Sequence, residues 1–170
     1  MAGTLSVSHI QGLATHSDPT TVSVQSGHTL HAPGHIIQVV HANCSSHVTN
    51  TSATYISADV SVSITPKFSS SKILIISNLC LDIDASDNIG MKLKRDSTDI
   101  KEEAYWGYGT ATDFIVSRNH HQYLDSPNST SAITYSWDIK RISGSASFHV
   151  SYDDGSGETD SQITAMEIAQ

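Results

Sequence analysis

Apolar and polar positions that alternate along several segments, closely spaced turn-forming clusters, and the lack of any sustained 3.6-residue apolar repeat predict an all-β chain. The expected architecture is an antiparallel β-sandwich, jelly-roll-like, of about eight or nine strands, with an extended N-terminal arm. The arm is residues 1–34. It holds isolated apolar residues (Leu5, Val7, Ile10, Leu13, Val22, Val24, Leu30), no aromatic side chain, and breaks at Gly12, Pro19, Gly27, Pro33 and Gly34. So little apolar surface does not offset chain entropy locally, and the arm is expected to order only against another surface, of its own domain or of a neighbouring subunit.

The β domain is residues 35–170. Val60, Val62 and Ile64 alternate with Ser61 and Ser63, which is one-face burial of a strand. Residues 66–71 (PKFSSS) form a turn cluster, and residues 72–83 (KILIISNLCLDI) are apolar on both faces, predicting the most buried strand, covered above and below. After a turn at 84–88, Met91 and Leu93 alternate with Lys92 and Lys94. Residues 101–112 (KEEAYWGYGTAT) have the composition of a protruding loop. A turn at 126–129 precedes the longest alternation, Ile133, Tyr135, Trp137 and Ile139 against Thr134, Ser136, Asp138 and Lys140. Ala146, Phe148, Val150 and Tyr152 repeat the device between turns at 143–145 and 153–157.

Composition narrows the function. The 170 residues include 28 Ser and 16 Thr, and only 15% are charged, so solubility rests on neutral hydroxyl groups that lose little when salt screens charge. Nine basic against 17 acidic residues give a net charge of −8, which argues against nucleic acid as a partner, since affinity for a phosphate backbone needs clustered Lys and Arg. Residues 1–12 lack the positive charge and apolar stretch of a signal peptide, and the longest aliphatic run is Ile73 to Ile76, so no membrane insertion is expected. Cys44 and Cys80 lack metal-motif spacing and are read as buried thiols or one optional bridge.

Four runs carry a resemblance: SGHTLHAPGHIIQVV (26–40), ITPKFSSSKILI (64–75), YLDSPNSTSAITYSW (123–137) and ITAMEIAQ (163–170). They resemble a group of small bacteriophage virion proteins, frequent in phages of aquatic bacteria and often described as tail-fibre-like. The resemblance covers roughly residues 26–170, with the arm matching more loosely, and its motifs are turns and strands rather than catalytic signatures. It implies an all-β, homotrimeric virion component with no known chemistry, and it carries no functional residues over to this chain.

Each candidate site also has a plainer structural role. The richest is the 101–112 segment, where Tyr105, Trp106 and Tyr108 stand among glycines beside Glu102 and Glu103. Aromatic faces that stack on sugar rings, with carboxylates that accept hydroxyl hydrogen bonds, would suit a glycan; packing as core or subunit interface is the plainer role. His31, His35 and His41 share strand parity, and threefold symmetry would turn one of them into an imidazole ring for a metal ion. Metal-free exposed or interface histidines are commoner, and the acidic runs DIDASDN (82–88) and DDGSGETD (153–160) depart from the calcium-loop pattern and read as solvated turns. No metal and no cofactor is assigned. Sequons at Asn43, Asn50 and Asn128 also read as turns, and no G-x-S-x-G or dinucleotide loop occurs.

The function expected is a non-enzymatic virion structural protein assembled in the host cytoplasm: a trimeric tail-fibre or appendage subunit, attached to other virion proteins through residues 1–34 and contacting host surface glycan. A capsid decoration or cement protein is the alternative. A small carbohydrate depolymerase would need two carboxylates across a cleft, for which Glu102 or Glu103 could face Asp113.

Overall fold

The computed structural model describes residues 26, 28–84, 88–106, 114–144, 147–151 and 160–170, with the backbone alone at 84, 105, 106, 114 and 115. Most of the expected arm, Tyr108, residues 85–87 of the first acidic run and residues 153–159 of the second lie outside the described residues. Chain contacts separate Met1–Leu30 from His31–Gln170, and the strands lie in the second unit.

Ten strands, all antiparallel, occur among the described residues: β1 (Ile36–Cys44), β2 (Val48–Asn50), β3 (Ile56–Ile64), β4 (Lys72–Asp84), β5 (Asn88–Arg95), β6 (Thr98–Trp106), β7 (Phe114–Asp125), β8 (Ile133–Ser143), β9 (Phe148–Val150) and β10 (Ser161–Ile168). One sheet runs β1-β10-β4-β7, and β9 and β2 extend it from the edge of β4 beyond the end of β10. The other runs β3-β8-β5-β6. With the two three-residue strands set aside, the long strands, renumbered 1 to 8 along the chain, fall in the orders 1-8-3-6 and 2-7-4-5. That is the double Greek-key order of a jelly roll.

The alternations read from sequence fill the core. Val60, Val62 and Ile64 of β3, Met91 and Leu93 of β5, Tyr135, Trp137 and Ile139 of β8, and Phe148 and Val150 of β9 all point inward and are buried. Hydrogen bonds stitch the layers: Trp137 Nε1 donates to Ser77 Oγ at 3.0 Å, and the fully buried Glu167 accepts from the backbone N–H groups of Lys67 and Phe68, fastening the 66–71 turn. Ala58 and Asp59, the latter at φ 54°, are the two extra residues of an irregularity in β3, where the register to β8 passes from Ser57↔Asp138 to Val60↔Trp137.

Three expectations are corrected. In β4, the inward residues Ile73, Ile75, Leu79, Leu81 and Ile83 are buried, but Leu74, Ile76 and Asn78 on the opposite face are half-buried. Covering on both faces is confined to the far part, at Cys80 and Asp82, because a two-layer sandwich leaves one face of each sheet outside. Residues 101–106 belong to β6 rather than to a loop, paired with β5 from Lys101↔Leu93 to Trp106↔Asn88. Asn43 and Asn50 are strand residues, the latter buried with its Nδ2 on the Ile139 carbonyl, while Asn128, at φ 52°, is in a loop as expected. Both cysteines are buried free thiols, the first of the two alternatives read from the sequence.

Candidate functional site

Where β6 and β7, the edge strands of opposite sheets, approach each other, the sandwich is closed by polar side chains. β7 inverts the usual pattern. Its inward residues are Ser117, Asn119, His121, Tyr123 and Asp125, opposite Leu81, Leu79, Ser77, Ile75 and Ile73 of β4. Two of them bridge the layers. His121 Nδ1 meets Glu103, which also holds Lys101 Nζ, and Lys101 reaches the Gln122 carbonyl at 3.3 Å. Farther along, both carboxylate oxygens of Asp125 accept from Arg95 Nη1 at 2.9 Å, and Oδ2 also accepts from the Tyr135 hydroxyl at 2.7 Å.

Burial alone would raise the pKa of Glu103, but hydrogen bonds and charge from Lys101 and His121 outweigh it and the carboxyl is more acidic than usual. Burial lowers the pKa of His121, against the pull of Glu103. The ring is therefore neutral near pH 7 and donates Nδ1–H to an ionised Glu103. It also packs on Trp137, with ring centroids 4.8 Å apart. Ile75, Ser77, Leu93, Lys101, His121, Gln122, Tyr123 and Trp137 close on one another with no room for water between them. The cluster joins sheets and offers no space for a substrate.

Glu102 and Glu103, adjacent in a strand, project to opposite faces of β6. Glu103 faces β7 as above. Glu102 is on the outer face, where its Oε1 accepts from the Tyr55 hydroxyl at 2.6 Å and lies 3.8 Å from Lys140 Nζ. The Tyr55 ring has Lys92 Nζ at 4.1 Å and Lys140 Nζ at 4.4 Å from its centroid, two cation–π contacts. It also crosses Gly90, where an added Cβ would meet the Tyr55 hydroxyl at 3.0 Å. Burial, then Glu102, raises the Tyr55 pKa, so its hydroxyl stays protonated and donates. The backbones of Tyr105 and Trp106 continue β6, while their side chains, Tyr108 and Asp113 lie outside the described residues. The paired carboxylates of the expected site are thus divided between two faces.

The histidines also separate. His41 is on the outer face of β1, bonded through Nδ1 to Thr164 Oγ1 at 2.8 Å and through Nε2 to Asn43 Oδ1 at 3.0 Å, while His31 packs edge-on against Phe68. His120 and His121 project to opposite faces of β7. Sequence reading missed His47 and His149, 102 positions apart, whose Nε2 and Nδ1 come within 3.0 Å of each other beside Thr49. Neither lies in a recognisable motif; β2–β9 pairing alone brings them together. Among the described residues no three His, Cys, Asp or Glu side chains are placed to hold a metal ion together.

The outer face of the β1-β10-β4-β7 sheet carries an apolar row. In register, Val39 lies beside Met166, Met166 beside Leu74, and Leu74 beside Leu124. Val39 is 54% exposed and Leu124 49%, and Ile36, at 49%, extends the row at one corner.

No protein-family model and no curated protein sequence matches the chain. Among solved structures it is similar to the VP2 protein of infectious bursal disease virus in derived T=1 particles, at 11% identity over 94% of this chain and 41% of that one, with a TM-score of 0.44. It is similar also to VP2 of that virus in a subviral particle, at 13% identity over 95% and 42% of the two chains, with a TM-score of 0.41. A third similar structure is dimeric latent PorU of Porphyromonas gingivalis, at 8% identity over 89% and 15%, with a TM-score of 0.38. The chain spans about two fifths of the VP2 chains and a smaller part of PorU.

Proposed function

We propose that the chain is a non-enzymatic structural subunit of a virion that works as a homotrimer. The observation that carries the self-association is the apolar row Val39–Met166–Leu74–Leu124, which crosses all four long strands of one sheet and is most exposed at its two edge strands. A contiguous apolar band on an otherwise hydroxyl-rich surface is what a subunit interface requires, and a second copy of a chain with few charges covers it without stranding ionic groups. The jelly-roll order supports the reading by leaving one face of each sheet outside the sandwich, and the resemblance of the 26–40, 64–75, 123–137 and 163–170 runs to phage virion proteins supplies the biological setting. In its finer form, the subunit belongs to a tail fibre or appendage, residues 1–34 attach it to other virion proteins, and the Tyr105, Trp106 and Tyr108 segment with Glu102 contacts host glycan.

Sedimentation equilibrium of the full chain tests the assembly. A trimer is expected, and Leu124→Asp, altering a side chain half in solvent, should shift it to monomer while the β-type circular dichroism persists. A wild-type chain that stays monomeric across the concentration range would overturn the reading.

A further inference from the structure

On the outer face of the first sheet, at the end where β2 and β9 extend it, three donor atoms form a small triangle. His47 Nε2 is 3.0 Å from His149 Nδ1; Thr49 Oγ1 is 2.9 Å from His149 Nδ1 and 3.3 Å from His47 Nε2. Each reaches this place for a structural reason. Phe148 and Val150 of β9 point into the core, so His149 between them must point out. Val48 and Asn50 fix β2 in the same way, and the Thr49↔His149 register sets the hydroxyl beside the ring. His47, two residues before Thr49, falls on the same face.

The triangle has the dimensions of one face of a metal coordination sphere. Bonds of about 2.1 Å separate neighbouring ligands by about 3.0 Å at right angles and about 3.4 Å at the tetrahedral angle. The two rings meet through these nitrogens, with centroids 5.1 Å apart and planes tilted by 44°. Asp82, directly opposite His149 on β4 and on the same face of the sheet, adds a negative charge nearby.

We propose that His47 Nε2, His149 Nδ1 and Thr49 Oγ1 bind a divalent late first-row transition ion, such as Zn2+ or Cu2+. Two imidazoles select these over Ca2+ and Mg2+, which need several converging oxygens. Each ring keeps its proton on the nitrogen turned away from the ion, and the Thr49 hydroxyl joins as a neutral third ligand. The ion would tie β2 to β9 side chain to side chain, where only three residue pairs now join them.

The test is calorimetric titration of the untagged full chain with ZnSO4, beside His47→Ala, His149→Ala and the controls His41→Ala and His120→Ala. One Zn2+ per chain is expected, with affinity reduced at least about tenfold in His47→Ala and His149→Ala, since loss of a supporting group alone costs that much. The controls should bind as wild type does, and CaCl2 should give no heat. Imidazole NMR of the unsubstituted chain gives a second readout: the His47 and His149 signals should move first on adding Zn2+. No binding, binding equal in both site variants and wild type, or first movement at other histidines would overturn the proposal.

Discussion

His121 links the stability of the fold to pH. Its ring is half-buried between Trp137 and the Glu103 carboxylate, and this burial lowers its pKa below the ordinary 6.5 although Glu103 pulls the other way. The unfolded chain therefore takes up a proton at this residue at a higher pH than the folded chain does. Stability contributed by the neutral ring is full above about 6.5 and is lost as pH falls through the interval below it. Glu103, whose pKa is depressed from 4.5, adds stability that is present above that value and disappears on further acidification. Both signs point toward acid sensitivity. His121→Gln should flatten the fall of melting temperature between pH 7 and pH 5, by about 2–4 °C for each kcal/mol of linkage removed, read by thermal denaturation in matched buffers. Parallel curves for variant and wild type would show that the ring carries no such linkage.

Among the elements, β4 and β7 pair along twelve consecutive positions and yet were unequally legible. β4 declares itself through aliphatic content. β7 does not, because its inward residues include His121 and Asp125, which bridge to Glu103 and to Arg95 and Tyr135 across the open side of the sandwich, while Val116 and Leu124 point out. An edge strand closing a sandwich with hydrogen bonds does not show the apolar-in period that identifies a central strand. β6 was hidden differently: in TDIKEEAYW no apolar alternation survives, since Lys101 and Glu103 face inward to pair with β7. Truncation separates core from outer face within this pair. Leu79→Ala, fully buried, should cost about 2–5 kcal/mol, whereas Val116→Ala, half exposed on the partner strand, should cost well under 1 kcal/mol. Urea denaturation of the two variants measures both, and equal costs would contradict the assigned faces.

For the whole molecule, the question is how surfaces divide between assembly and attachment. The apolar row lies on the outer face of the β1-β10-β4-β7 sheet, whereas Glu102 and Tyr55 lie on the outer face of the other sheet. Interface and glycan contact, as proposed, therefore occupy different sides of the sandwich. Trp106→Ala should leave the trimer intact in sedimentation and abolish attachment of the assembled particle to host cells, since loss of one stacking ring removes a large share of aromatic contact area. A variant that dissociates the trimer would instead assign Trp106 to the subunit interface, and unchanged attachment would remove it from glycan contact. The candidate segment was legible as composition, but composition does not state that Glu102 and Glu103 project to opposite faces.

The amino-acid sequence alone determined the all-β class, the inward residues of β3, β5, β8 and β9, and the turns at 66–71 and 126–129, because alternation and turn chemistry are local properties read over a few residues. Tertiary structure decided the rest. The jelly-roll strand order, the polar closure between β6 and β7, the apolar row across one sheet, and the meeting of His47 with His149 all depend on pairing between distant segments. Local preference does not encode those pairings; burying all the inward faces at once does.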